Sequence, residues 1–390
     1  MAPSTPPKVP LYGQSALSDL TPSLLAALGL PGHPNALSIA PVGNACLLLV
    51  DGLGWDLVRD NPKHAPFLAG LAGGAAGRSI SAGFPSSTAV SIASIGTGKT
   101  PGEHGIVGYT MGIPGYDRAM NNLRWTLHGP GPHVDLRSVI VPEDLQPDPT
   151  SFQLAEEGGV NPYTVGPREH MASGLTRAAL RGAQYRPAFS MGDLAAETIA
   201  ALRAPGRSFV YAYHPDLDMT GHVRGVGSHA WRLQLGLVDR LALALAERLP
   251  QDSTLVITGD HGMVDVAPHD RIDFDQEPAL QNGVRLLGGE PRARHVYTRI
   301  GARKEVLAAW RERLGDRVWI LDQEDAIERG WFGPTVSAEA RTRIGDVIAA
   351  AEGPVGIVQP SVLSVEALLI GHHGSLTAAE QLVPFLAVSN

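Results

Sequence analysis

Ala45-Cys46-Leu47-Leu48-Leu49-Val50-Asp51-Gly52-Leu53-Gly54 sets an unbroken apolar run of strand length directly before an acidic turn. The helical pattern that follows, Trp55 to Leu71, makes the unit a buried strand, a turn and a helix. Strands that are apolar at every position belong to parallel sheets covered by helices on both faces. An Asp at the carboxyl end of such a strand projects into the crevice where open α/β sheets hold ligands, although Asp51-Gly52 taken alone is equally a plain turn. Cys46, the single cysteine, lies inside the run and reads as a small core residue. It leaves no internal disulfide and no cysteine-rich metal site.

Working outward, the same unit recurs. Ser208 to Tyr213 is a strand of β-branched and aromatic residues that leads into His214-Pro215-Asp216-Leu217-Asp218-Met219-Thr220-Gly221-His222. On a helix, Asp218 and His222 share one face and can hold one metal ion. Ser253 to Thr258 is a further buried strand and ends in Gly259-Asp260-His261-Gly262-Met263. Glycines around an adjacent Asp and His admit a large object close to the backbone, and the pair offers a carboxylate and an imidazole to a divalent metal. Helices are expected over Leu20 to Leu28, Gly192 to Leu202 and Ala230 to Leu249. These repeats predict an α/β fold built on a doubly wound, mostly parallel sheet.

Between the first two units, Phe84 to Gly105 reads FPSSTAVSIASIGTGKTPGEHG. Thr88 opens the apolar-spaced run Val90, Ile92, Ala93 and Ile95, so its hydroxyl sits at a helix N-terminus, where unpaired N–H groups and the dipole favour anions. The plain alternative is a helix cap. Gly98-Lys99-Thr100 copies the tail of a nucleotide P-loop, but Ala93 stands where that loop needs Gly, and Pro101 blocks the helix it must start. Near the C-terminus, Gly371-His372-His373-Gly374 is a last glycine-flanked histidine site.

The chain has 390 residues, 44% hydrophobic and 18% charged, enough for one large domain carrying an insertion. Residues 272–353 are expected to form a small α/β cap, with strands at His295–Ile300 and Val318–Leu321 and helices at Lys304–Leu314 and Ala338–Ala351; residues 1–271 and 354–390 make the core. Lys and Arg number 31 against 39 Asp and Glu, a formal charge of −8 without a basic run, so a nucleic-acid polymer is not an expected partner. The N-terminus lacks the pattern of a secretory peptide, and no apolar run reaches the roughly 20 residues of a bilayer span. The expectation is a cytoplasmic protein without a membrane partner. Residues 1–10 are Pro-rich and read as loose.

Asp51, Thr88, Asp218 with His222, Asp260 with His261, and His373 thus lie on separate turns that a doubly wound sheet gathers at one edge. The ordered set resembles the alkaline phosphatase superfamily and, within it, the type I phosphodiesterase and nucleotide pyrophosphatase family. The likeness rests on Asp51-Gly52, Phe84-Pro85-x-x-Thr88, Thr97-Gly98, His104-Gly105-Ile106, Asp218-x-x-x-His222, Asp260-His261-Gly262-Met263 and Gly371-x-His373-Gly374. The resemblance implies two zinc ions, with manganese an alternative: one held by Asp218, His222 and His373, the other by Asp51, Asp260, His261 and Thr88. It implies a hydrolase of small-molecule phosphate esters that works through a covalent intermediate on Thr88. A phosphomonoesterase or a phosphonate hydrolase on the same site is the alternative, and a non-catalytic zinc-binding scaffold the outlier. The family usually carries Asn where this chain has Tyr109. The segment Tyr109 to Trp125 and the cap are expected to shape the substrate pocket.

Overall fold

The computed structural model describes residues 5–75 and 77–390. The part of the Pro-rich N-terminus at residues 1–4 lies outside the described residues. A seven-stranded sheet runs in the order Gly77–Ser81, Leu382–Ser389, Ser253–Gly259, Asn44–Val50, Ser208–His214, Asn161–Pro167 and Gln184–Ala188. Pairing is parallel from Ser253–Gly259 through to Gln184–Ala188, while Leu382–Ser389 runs antiparallel to both of its neighbours. The mostly parallel sheet expected from the strand–turn repeats is therefore present.

The central strand shows why the sequence folds this way. Ala45, Leu47 and Leu49 face a core shared with the helices Leu20–Ala27, Thr88–Thr97 and Gly174–Ala179. Cys46, Leu48 and Val50 face the opposite core, closed by the helices Pro66–Gly73, Met191–Leu202 and His229–Ala246. Every one of these strand residues is fully buried, so an apolar residue is required at each position. Cys46 is one of them, and burial pushes its thiol up to about 12. Gly96 lets the helix Thr88–Thr97 lie against its neighbour: a methyl added there would meet the Ala179 carbonyl oxygen at 2.0 Å.

Within residues 272–353 lies a four-stranded antiparallel sheet, ordered Val284–Glu290, Ala293–Thr298, Val347–Ala351, Val318–Asp322. The helix Arg303–Leu314 packs Val306 and Trp310 onto one face. The other face is not free. Trp319, Leu321, Ile348 and Ala350 join the main core, and Phe84 meets the rings of Trp331 and Phe332 at 5.0 and 5.4 Å.

Three expectations are corrected. Ala338–Ala351 is not one helix: it is a short helix, Ala338–Arg343, and then the strand Val347–Ala351, which pairs on both sides. The helix expected from Trp55 to Leu71 is two, Trp55–Arg59 and Pro66–Gly73, because prolines at 62 and 66 interrupt the backbone donors. The N-terminal segment is packed from Thr5 onward: Trp319 Nε1 donates to the Thr5 carbonyl, Lys8 N–H to the Leu376 carbonyl, and Tyr12 Oη to the Trp331 carbonyl. Among the described residues no helix is long and apolar enough to cross a membrane.

Candidate metal and phosphate site

The register of the sheet brings the separated turns together. Val50 pairs with His214 on one side and Gly259 on the other, so the chain leaves three adjacent strands at one level. Asp51 follows the first and Asp260-His261 the third. After His214 the chain forms the helix Asp216–Arg224, which sets His222 Nε2 3.2 Å from Asp218 Oδ2. His373 arrives after the two-residue strand Gly371–His372, which pairs with Val264–Asp265 just beyond His261. Its ring stacks on His261 at 3.6 Å.

Thr88 is the first residue of its helix, and Ser87 holds the cap position without a side-chain cap bond. The Thr88 hydroxyl lies 3.2 Å from His261 Nε2 and donates to Asp51 Oδ1 at 3.4 Å. Donor atoms of Asp218, His222 and His373 lie within 4.8 Å of one another, as do those of Asp51, Asp218 and His261. Asp218 thus stands between two groups. Asp260 uses Oδ1 to accept from the N–H of Gly52 (2.9 Å) and of His261 (3.0 Å), and its Oδ2 lies 3.4 Å from His261 Nε2. All seven residues singled out in the sequence meet at this edge.

The donor set fits cations. Each histidine hands its Nδ1–H to a carbonyl: His222 to Gly371 at 2.7 Å, His261 to Gly262 at 3.0 Å, His373 to Ser86 at 2.9 Å. That arrangement fixes the tautomer and leaves each Nε2 lone pair facing the cluster. Asp218 Oδ1 and Asp260 Oδ2 are buried without any hydrogen-bond partner, a costly state for a carboxylate unless a cation completes it. Burial, together with the Asp260 and Asp218 charges, pushes the Asp51 carboxyl well above its ordinary range. Asp218 is held below its range by His222 and His373 despite burial. Burial and the neighbouring His261 press His373 well below the usual imidazole value.

Sequence reasoning missed three participants. Tyr213 donates to Asp51 Oδ2, Ser91 anchors the Asp260 carbonyl at 2.7 Å, and Glu290 from the cap sheet lies 3.3 Å from His373 Nδ1. Tyr213 had a signal, since Phe209, Tyr211 and Tyr213 alternate onto the face that carries Thr88. Tyr109 sets its ring edge-on to His128 at 5.7 Å. Lys99 pairs with Asp148 at 2.7 Å, away from any phosphate loop.

A cavity of about 760 Å³ opens beside Thr88, Asp51 and Asp218. Its remaining walls come from residues 123–137, 164–185 and 211–219, and from Ile92. None of these lining residues belongs to residues 272–353, which reach the cluster through Glu290 instead, whereas Leu123 and Arg124 come from the segment Tyr109 to Trp125, of which Tyr109 itself does not line the cavity.

A family model for type I phosphodiesterase / nucleotide pyrophosphatase matches residues 45–376. The chain belongs to this family. As a type I phosphodiesterase / nucleotide pyrophosphatase family member it is a phosphate-ester hydrolase, and its fold is that of the alkaline phosphatase superfamily. It is similar to solved structures of murine and human ectonucleotide pyrophosphatase / phosphodiesterase 5 at 18% and 21% identity, covering 89% of this chain and 88% of each of those, with a TM-score of 0.67 in both cases. An inactive form of the murine protein solved in complex with AMP aligns with the same TM-score of 0.67. No curated protein matches the chain significantly.

Proposed function

We propose that this family member hydrolyses small-molecule phosphodiesters by two-step transfer through Thr88, with two divalent cations at the cluster. The observation that carries the reading is the Thr88 hydroxyl at the start of a helix, 3.2 Å from His261 Nε2 and directed at Asp51. Asp218, His222 and His373 would hold one cation, and Asp51, Asp260 and His261 with Thr88 the other. Imidazole and carboxylate donors suit zinc, with manganese a second choice. When bound, such a pair supplies the positive charge that lowers the pKa of a hydroxyl or water and offsets charge on the phosphoryl oxygens.

The protein's own groups then do the following. Asp51 Oδ1 orients the Thr88 hydroxyl and offers its proton a first acceptor, while Tyr213, donating to the other oxygen, fixes that carboxylate. First-turn N–H groups of the Thr88 helix have no intrahelical acceptor and favour the phosphoryl anion. Thr88 Oγ1 bonds to phosphorus as the first ester bond breaks and its alcohol departs. Water then cleaves the phosphothreonine ester and restores the hydroxyl. The AMP in the complex of the inactive murine relative is consistent with a small-molecule substrate here.

The deciding experiment is a paired assay of zinc-loaded protein with 4-nitrophenyl phosphate and bis(4-nitrophenyl) phosphate. A larger kcat/KM for the diester is expected. Preference for the monoester would move the assignment to a phosphomonoesterase on the same site, and hydrolysis of neither would overturn it.

A further inference from the structure

The cavity beside Thr88 has a floor that the ester chemistry does not use. Tyr185, Thr164 and Tyr211 form one row across three neighbouring strands, Thr164 being paired with Tyr185 on one side and Tyr211 on the other. Thr164 is 2% exposed and Tyr211 1%, yet Thr164 Oγ1 and Tyr211 Oη have no hydrogen-bond partner, although both residues line the cavity. Tyr185, by contrast, donates to the Pro167 carbonyl at 2.7 Å. One step along the strand, Gly166 leaves the way down to this row open: a Cβ there would lie 3.1 Å from Tyr185 Oη and 3.8 Å from Tyr213 Cβ. Ile92, Leu175 and Leu180 give the walls apolar surface.

Buried hydroxyls without partners are costly, and two on adjacent strands at the end of one cavity mark a place where a ligand completes them. Their own chemistry selects the ligand: burial, then the Asp260 and Asp51 carboxylates, holds the Tyr211 phenol far above its ordinary pKa, so both groups meet a ligand as neutral hydroxyls. Each hydroxyl can both donate and accept.

We propose that Thr164 and Tyr211 form a subsite for a neutral, hydroxyl-bearing alcohol group of the substrate, so that the esters turned over are those of a polyol or sugar. This rests on the phosphodiesterase reading and deepens it. The subsite discriminates by leaving its own hydroxyls unpaired when an alkyl group takes the place of the polyol, a loss that apolar contact does not make good.

The test uses zinc-loaded full-length protein and two probes with a common leaving group, 4-nitrophenyl glyceryl phosphate and 4-nitrophenyl propyl phosphate. Wild-type protein should favour the glyceryl ester in kcat/KM by at least about tenfold. Tyr211→Phe and Thr164→Val should each shrink that ratio severalfold, and the double variant should bring it near unity. Calorimetric binding of glyceryl propyl phosphate, which needs no turnover, should weaken in the same order. Both variants should melt at or above the wild-type temperature, since each removes an unpartnered buried hydroxyl. A ratio near unity in wild type, or one the variants leave unchanged, overturns the subsite. If neither probe is cleaved the phosphodiesterase reading fails, and the binding series still decides the subsite: affinity equal in wild type and double variant overturns it.

Discussion

Thr88 heads its helix while Ser87 holds the cap position, so the two roles the sequence left mixed are divided between neighbours. With no cap bond to lose, Thr88→Ala should leave the helix standing and remove several orders of magnitude of rate with metal still bound, whereas Thr88→Ser keeps the oxygen and substantial activity. Acid-quenched wild-type protein should carry its phosphoryl label on Thr88, and a label on Ser86, Ser87 or Ser91 would displace the nucleophile. The ligand assignment makes a separate prediction. The proposal puts Asp260 and His373 on different cations, so Asp260→Ala and His373→Ala should each cut the metal content from about two equivalents to about one and abolish most turnover. Elemental analysis of chelator-free protein that returned one equivalent or less for wild type would end the two-metal scheme.

At the scale of the element, the helix that carries Thr88 depends on contact with Gly174–Ala179 through Gly96. Ala has the higher helix propensity by about 1 kcal/mol. A methyl 2.0 Å from the Ala179 carbonyl oxygen nevertheless forces the helices apart, and overpacking of this kind costs about 1–3 kcal/mol. Gly96→Ala should therefore lower the urea midpoint; a raised midpoint would show that the two helices yield without cost. Legibility of the elements follows the same physics. Strands Asn44–Val50 and Ser253–Gly259 were readable because burial on both faces leaves the runs Ala45 to Val50 and Leu255 to Ile257 without a charged or exposed position. Val347–Ala351 was not, because Ala349, Ala350 and Ala351 favour a helix locally and only pairing with two neighbouring strands makes them extended. The proposed ligand residues Asp51, Asp260, His261 and His373 were legible as Asp and His beside glycine, and Asp218 with His222 by their spacing on one helix. Glu290, Thr164 and Tyr211 were not, since nothing local distinguishes a strand residue that faces a cavity from one that faces a core.

Taken as a whole, the molecule buries several histidines that no cation explains. His295, on the strand Ala293–Thr298, is fully buried, its Nδ1 accepting from Gly345 N–H and its Nε2 unpartnered, and burial pushes it down to about 3. The sign follows directly. Its unfolded value is near 6.5, so below that pH the unfolded chain takes up a proton the folded chain refuses, and stability contributed by neutral His295 is lost as pH falls. Between pH 7.5 and 5 the loss amounts to about 2 kcal/mol, since about one and a half pH units lie below 6.5 at 1.36 kcal/mol each. In protein stripped of metal, His295→Gln should lose less stability than wild type over that interval in urea titrations; parallel curves would refute a neutral buried imidazole.

The last strand, Leu382–Ser389, lies inside the main sheet, between Gly77–Ser81 and Ser253–Gly259. A ribosome delivers it after nearly everything else. Until then Gly77–Ser81 lacks its partner strand, and Ser253–Gly259 shows an open backbone edge beside the apolar side chains of Leu255, Val256 and Ile257. The sheet therefore closes only once residues 382–389 have been made, and a chain cut shortly after His373 would hold every proposed ligand residue yet keep an edge prone to pair with its own copies.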